Sequence, residues 1–333
     1  MTHKNILVLG GTGFIGRCLV DGLAAQGRRI CVPTRRRARG RELLVLPTVE
    51  VVEADITNPS TLQALVQGRD AVINAVGILH ESAASGASAA SADPNGRYGA
   101  GFAGVHVQLP RNVVAACQQA GVGRLLHISA LGADANAPSA YLRSKADGER
   151  VVREASAIAS TVFRPSVVFG PGDSLLNLFA SLAAWLPVVP IVQPKARLQP
   201  VSVHDLATAM CTALDEPATF GKSYEICGPG IYTMRELAQF AVRAAGHRRP
   251  VLGLPGPLAY AMALVSELAP GPTLLSRDNL RTASVDMVAS QQPYVPAPEL
   301  GMHPSALEPE AALFLAGMHP RSRFGGFRAR ARR

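Results

Sequence analysis

Tyr141 and Lys145 stand four residues apart in the string Tyr141-Leu142-Arg143-Ser144-Lys145, within a stretch that reads as one long helix from Ala140 to Ala159. That spacing puts both side chains on one helix face. An ammonium beside a phenol favours the phenolate, so the expectation is a tyrosine pKa drawn toward neutrality. Such a tyrosine can exchange a proton with a substrate oxygen. Ser129 ends an apolar strand twelve residues before Tyr141 and can donate a hydrogen bond to the same oxygen. The candidate catalytic set is therefore Ser129, Tyr141 and Lys145, with Lys145 also able to hold a ribose. His106 and His127 read as structural histidines, and no Ser/His/Asp triad or metal-ligand spacing is evident.

Beside this proton-transfer set, the N-terminus supplies a place for a dinucleotide. The apolar run Ile6-Leu7-Val8-Leu9 leads into Gly10-Gly11-Thr12-Gly13-Phe14-Ile15-Gly16, which is followed by an amphipathic helix carrying Cys18, Leu19 and Leu23. A strand that enters a glycine turn and leaves as a helix lets backbone N–H groups and a helix N-terminus face a pyrophosphate. The context on both sides raises the motif above a chance match. In such folds a carboxylate near the end of the second strand accepts bonds from the ribose 2′-OH. Here that place reads Pro33-Thr34-Arg35-Arg36-Arg37. Arg35 and Arg36 offer guanidinium forks suited to a 2′-phosphate. The expected cofactor is NADP(H) in preference to NAD(H). Asp55-Ile56 after the third strand and Ala75-Val76-Gly77 after the fourth are placed to face the adenine and the dinucleotide backbone.

The elements that must position these residues alternate. Strands are expected at Asn5–Leu9, 29–33, 49–54, 71–75, 125–129 and 161–163, with helices at 14–26, 60–67, 105–120 and 140–159. Alternation with short connections implies an α/β fold with a parallel, doubly wound sheet and right-handed crossovers. Residues 1–165 form the expected Rossmann-type domain. Residues 166–320, rich in proline and short strands, form a smaller C-terminal α/β substrate or partner lobe interleaved with it. An Ala/Ser/Gly-rich stretch from Glu81 to Gly104 reads as a flexible surface loop.

The chain has 333 residues, 48% hydrophobic and 17% charged, enough for a sizeable core. Five scattered cysteines argue against a disulfide framework and suit a reducing, cytoplasmic setting. The net charge is +9, but six arginines lie in the tail 321–333, which leaves +3 elsewhere. The charge is thus local, and nucleic acid is not an expected partner; the tail reads as solvated chain. Two uncharged or nearly uncharged runs, 174–194 and 252–270, are interrupted by prolines and do not read as spanning helices. With the basic tail they offer a contact for the inner face of a membrane.

Gly10–Gly16, Asp55, Ser129, Tyr141, Lys145 and Arg164-Pro165-Ser166 together resemble the short-chain dehydrogenase/reductase superfamily, in its extended or atypical branch. Longer strings are similar to the nucleotide-binding accessory subunits of respiratory complex I and their bacterial relatives. These are Val32-Pro33-Thr34-Arg35-Arg36, Tyr141 to Ala146, Arg164 to Gly170, Gln199-Pro200-Val201 and the stretch 273–281. The superfamily resemblance implies a Rossmann fold, Pro165 near the cofactor, and an NADPH-dependent oxidoreductase or epimerase-like activity on an unidentified small molecule. The complex I resemblance implies a tightly held NADPH without turnover, in a protein docked on a membrane respiratory or quinone-linked assembly. Both readings stand at this point.

Overall fold

The computed structural model describes residues 2–81, 96–269 and 275–318. The basic tail, most of the Ala/Ser/Gly-rich stretch and the start of the 273–281 string lie outside the described residues. The chain divides into two units: residues 1–165, 204–226 and 295–303 form one, and residues 166–203, 227–294 and 304–333 the other.

The first unit is built on seven parallel strands. In chain order its elements are β1 (Asn5–Leu9), α1 (Phe14–Ala25), β2 (Arg29–Thr34), β3 (Val49–Glu53), α2 (Pro59–Val66) and β4 (Ala71–Asn74). Next come α3 (Ala100–Phe102), α4 (Leu109–Ala120), β5 (Arg124–Ile128), α5 (Ala140–Glu154) and β6 (Ala159–Pro165). A later return of the chain adds α7 (Val203–Ala213) and β11 (Ser223–Ile226). The sheet order is β11-β6-β5-β4-β1-β2-β3, with every pairing parallel. The strands read as nearly unbroken apolar runs because helices cover both faces of such a sheet. Leu7, Leu9, Val72, Leu125 and Val162 pack with Leu62, Val113, Cys117 and Val152 from α2, α4 and α5. The order reverses between β1 and β4, and the crevice at such a switch point is where open α/β sheets bind ligands.

Local signals account for the element boundaries. Asn58 caps α2, accepting from the Ser60 and Thr61 N–H groups, and Pro59 opens the helix. Ser139 caps α5 by accepting from Leu142 N–H. Two expectations need correction. Residues 100–104 are helix and not loop: Tyr98, Phe102 and Ala103 are buried against Ile78, Tyr141 and Val151, and the helix begins at Ala100. It runs from α3 through a π-type segment, Ala103–Gln108, into α4. Sequence also placed the α5 end near Ala159, but the helix stops at Glu154 because β6 starts at Ala159 and pairs with Arg124 of β5.

The second unit contains β7 (Val168–Phe169), α6 (Leu176–Trp185), β8 (Val189–Ile191), β9 (Arg197–Leu198), β10 (Val201–Ser202) and β12 (Tyr232–Thr233). It continues with α8 (Met234–Ala244), β13 (Val251–Gly253), α9 (Gly256–Leu268), α10 (Arg277–Thr282) and α11 (Leu307–Ala316). Its strands form three two-stranded ribbons. Thr233 and Glu236 build a capping box at the start of α8. The apolar run expected to be broken by prolines forms α9, because Pro257 lies in the first turn, where a missing N–H costs nothing. No described helix is long and apolar enough to cross a membrane.

Candidate functional site

The glycine turn closes as the motif requires. Gly13 N–H donates to the Gly10 carbonyl at 2.9 Å, and α1 starts at Phe14 with Gly13 as its N-cap. Gly10 has φ +80°, and a Cβ there would lie 2.8 Å from the Ala75 carbonyl oxygen and 3.0 Å from Val76 N. A Cβ at Gly16 would collide with the Gly10 carbonyl. The turn is therefore pressed onto the end of β4, which brings Gly10–Gly16 together with Ala75 and Val76. Thr12 lies beside it, and its carbonyl accepts from Arg17 Nε at 3.1 Å.

Arg35 and Arg36 follow β2 and are both exposed, and neither ion-pairs among the described residues. The Thr34 hydroxyl donates to the Arg36 carbonyl at 3.2 Å, which shapes the turn. A carboxylate does approach this place: Glu53 at the end of β3 accepts from Arg37 N–H at 3.3 Å. It comes from the neighbouring strand, paired in register Thr34 to Glu53, so the sequence around β2 could not reveal it. Asp55 is exposed and accepts from Thr57 N–H and Oγ1 at 3.0 and 2.7 Å, while Ile56 packs on the core.

The second half of the site gathers at the ends of β4 and β5. Lys145 is buried, and its Nζ donates to the Ile128 carbonyl at 3.1 Å, one residue before Ser129. Its ammonium also approaches the glycine after β4: a Cβ on Gly77 would sit 3.2 Å from Nζ. Ser129 continues the β5 ladder through its N–H to the Phe163 carbonyl at 2.7 Å. Among the described residues its Oγ is buried without a hydrogen-bond partner, as is Nε2 of His127. Residues two apart on a strand share a face. Buried polar groups are rarely unpaired, so these two atoms mark a polar place on the site's floor. Asn74 explains the histidine's tautomer. Its Oδ1 accepts from Val76 N–H at 3.2 Å and its amide nitrogen meets His127 Nδ1 at 3.3 Å, which leaves the ring proton on Nε2. Burial, and then the Lys145 charge, push the His127 pKa down to about 3, so the ring is neutral.

His106, in the π-type segment, ties the two halves. Ile78 N–H donates to Nε2 at 3.2 Å, and Nδ1 lies 2.8 Å from Ser144 Oγ. The Ser144 hydroxyl donates to the Tyr141 carbonyl at 2.8 Å, so the Nδ1 proton must donate to Ser144. The imidazole is neutral, and burial followed by the Lys145 charge holds its pKa well below the ordinary value. Its ring stacks on Phe102, centroids 5.3 Å apart, and meets Tyr141 edge-on at 5.6 Å. Sequence reading treated His106 as structural; it positions the first turn of α5, and only a fold could place it there.

The expected direction of the tyrosine shift is corrected. Burial dominates, pushing Tyr141 up to about 12 and Lys145 down to about 8. Burial disfavours whichever form is charged, and the Lys145 ammonium points to a backbone carbonyl. Tyr141 is a protonated phenol, fitted to donate a proton. Two ion pairs missed at the sequence level fix α5. Glu149 takes Arg164 bidentately at 2.6 and 2.8 Å, and Asp147 accepts from Arg97 and Tyr98 at 2.6 and 2.9 Å. Pro165 ends β6, with its carbonyl accepting from Leu131 N–H at 2.9 Å.

A parallel α/β sheet with a glycine turn at its switch point, Ser129 just after β5 and Tyr141 and Lys145 on α5 fit a Rossmann-type protein of the short-chain dehydrogenase/reductase kind. Residues 6–227 match the NAD dependent epimerase/dehydratase family, and the chain belongs to that family. Among its relatives is the mitochondrial NADH dehydrogenase (ubiquinone) 1 alpha subcomplex subunit 9 of Arabidopsis thaliana, 30% identical over 85% of this chain and 70% of that one. The ceramide reductase of Caulobacter vibrioides is 31% identical over 78% of this chain and 77% of that one. Of solved structures, a dTDP-glucose 4,6-dehydratase from Streptomyces venezuelae with NAD bound superposes with a TM-score of 0.72 at 20% identity, covering 95% of this chain and 98% of that one.

Proposed function

We propose that this protein is an NADPH-dependent carbonyl reductase. The observation that carries the reading is the buried, unpartnered Ser129 Oγ, one residue beyond the carbonyl that holds Lys145 and on the same sheet end as the glycine turn. The cradle and the orphaned hydroxyl fit a nicotinamide dinucleotide. Gly10–Gly16 would hold its pyrophosphate, Arg35 and Arg36 its 2′-phosphate, and Lys145 its nicotinamide ribose, with Asp55, Ile56, Ala75, Val76, Gly77 and Pro165 lining it. A nicotinamide held there would supply the hydride. Ser129 Oγ–H then hydrogen-bonds the substrate carbonyl oxygen and fixes its position. Tyr141 donates the proton to that oxygen, a role that suits a phenol kept protonated by burial. The Lys145 ammonium stabilises the phenolate left behind.

Tyr141→Phe should lower kcat by about 10²–10⁴-fold and leave the NADPH Kd unchanged. The assay follows NADPH absorbance with a panel of ketone substrates, and equal rates would overturn the catalytic assignment. NADPH should bind more tightly than NADH, and replacing Arg35 and Arg36 by Ser should abolish the difference. NADH binding as tight as NADPH in the unaltered protein counts against the cofactor choice.

A second reading is an accessory protein that holds NADPH without turnover and docks peripherally on a membrane or respiratory assembly. It is favoured by the complex I relatives and by the apolar side chains that α9 exposes, among them Leu258, Val265 and Leu268. Copurified NADPH that no ketone or quinone oxidises would support it.

A further inference from the structure

A second cluster with chemical potential lies in the first unit, on the side of the sheet covered by α1 and α7. A cavity of about 380 Å³ is lined there by Cys18, Asp21, Gln26, His204, Thr208 and Cys211. Cys18 Sγ and His204 Nδ1 are 3.1 Å apart. Cys18 is the one partly exposed cysteine; Cys31, Cys117, Cys211 and Cys227 are buried. His204 sits in the first turn of α7, where the helix dipole favours an anion nearby. A histidine and a helix start beside a thiol are the surroundings that convert it to a nucleophilic thiolate. The charged and titratable groups around the pair are Asp21 and Arg17 on α1, Asp205 and Cys211 on α7, Glu42 on the segment after β2, and Arg28 before it.

We propose that the Cys18–His204 pair is a reactive thiol site, separate from the dinucleotide turn, at which Cys18 attacks small hydroperoxides. His204 takes the thiol proton. The thiolate sulfur forms a bond to one peroxide oxygen as the O–O bond breaks. The departing oxygen takes the proton from the imidazolium and leaves as water or an alcohol. Sulfur is oxidised by two electrons to a sulfenic acid and the peroxide is reduced by two. Cys211 lines the same cavity, but burial pushes its thiol up to about 12, so the sulfenic acid on Cys18 is the expected product. The cavity admits hydrogen peroxide or a short alkyl hydroperoxide. The site rests on α1 and α7 alone and does not depend on the reductase reading.

The experiment treats the full-length protein with hydrogen peroxide and dimedone and reads each cysteine by peptide mass spectrometry. A dimedone adduct on Cys18 is the expected result. Iodoacetamide alkylation of Cys18 at neutral pH should outpace that of glutathione by about an order of magnitude, the gain expected of a histidine-paired thiol. His204→Asn should remove the gain, with NADPH binding and circular dichroism reporting that the fold is kept. The wild-type comparison with glutathione decides even if that variant fails to fold. Unmodified Cys18 under peroxide, an alkylation rate no higher than glutathione's, or a rate unchanged in folded His204→Asn overturns the proposal.

Discussion

Lys145 makes the residue scale quantitative. Its ammonium is buried among Ile128, Gly77, His106 and His127, and burial brings its pKa down to about 8. Below that value the side chain is charged and can bind a ribose hydroxyl; as pH rises through it, the charge is lost. Dinucleotide affinity should therefore weaken between neutral pH and pH values above about 8, and Lys145→Met should flatten the dependence. Fluorescence titration across that range is the check, and an unaltered slope in the variant would remove Lys145 from the ribose site. The neighbouring histidines cannot supply such a transition, because both are held neutral well below neutral pH. The spacing of Tyr141 and Lys145 was legible in the sequence because a helix has a fixed period. The direction of the tyrosine shift was not, because it depends on how much protein surrounds the phenol.

Elements act by pressing these residues together. The glycine turn holds because Gly10 adopts a left-handed backbone against the end of β4. Gly10→Ala combines an unfavourable φ with a Cβ 2.8 Å from the Ala75 oxygen. A strained position of this kind costs on the order of 1–3 kcal/mol. Urea unfolding of Gly10→Ala should show a loss of that size, together with weaker NADPH binding; wild-type values in both would mean the turn relaxes freely. The long helix α3–α4 carries a comparable local dependence. His106→Phe keeps the ring stack on Phe102 but leaves Ile78 N–H without its acceptor. An unsatisfied buried donor costs about 1–3 kcal/mol, again measurable by urea unfolding, and no change in midpoint would show that His106 is not what holds this junction. The strand, turn and helix around Gly10–Gly16 could be read directly, since each has a local signature. The π-type segment could not, because it depends on Tyr98 and Phe102 packing against Tyr141 and Val151.

At the scale of the whole molecule, the first unit is closed by a return of the chain. Residues 204–226 add α7 and β11 to a sheet built from the first 165 residues. Arg124 secures the return. Its guanidinium, buried at the start of β5, donates to the Ala213 and Leu214 carbonyls at 2.6 and 3.1 Å, to Ala159 at 2.6 Å, and to Thr161 Oγ1 at 2.8 Å. It also lies 4.3 Å above the Phe220 ring. Arg124→Met would strand these acceptors, and leaving a buried acceptor unsatisfied costs about 1–3 kcal/mol. A lower urea midpoint of that size is expected, with a smaller loss for Arg124→Lys; a change under about 1 kcal/mol, the usual scale of a surface pair, would mean the return of the chain is held by packing alone. The sequence by itself determined the parallel α/β class, the glycine turn and the helical spacing of Tyr141 and Lys145, because periodicity and turn chemistry are local. Only the tertiary structure decided that Glu53 meets the arginine turn, that His106 links Ile78 to α5, that Tyr141 stays protonated and that Cys18 faces His204. Each of these depends on groups far apart in the chain, whose approach and loss of water no local pattern encodes.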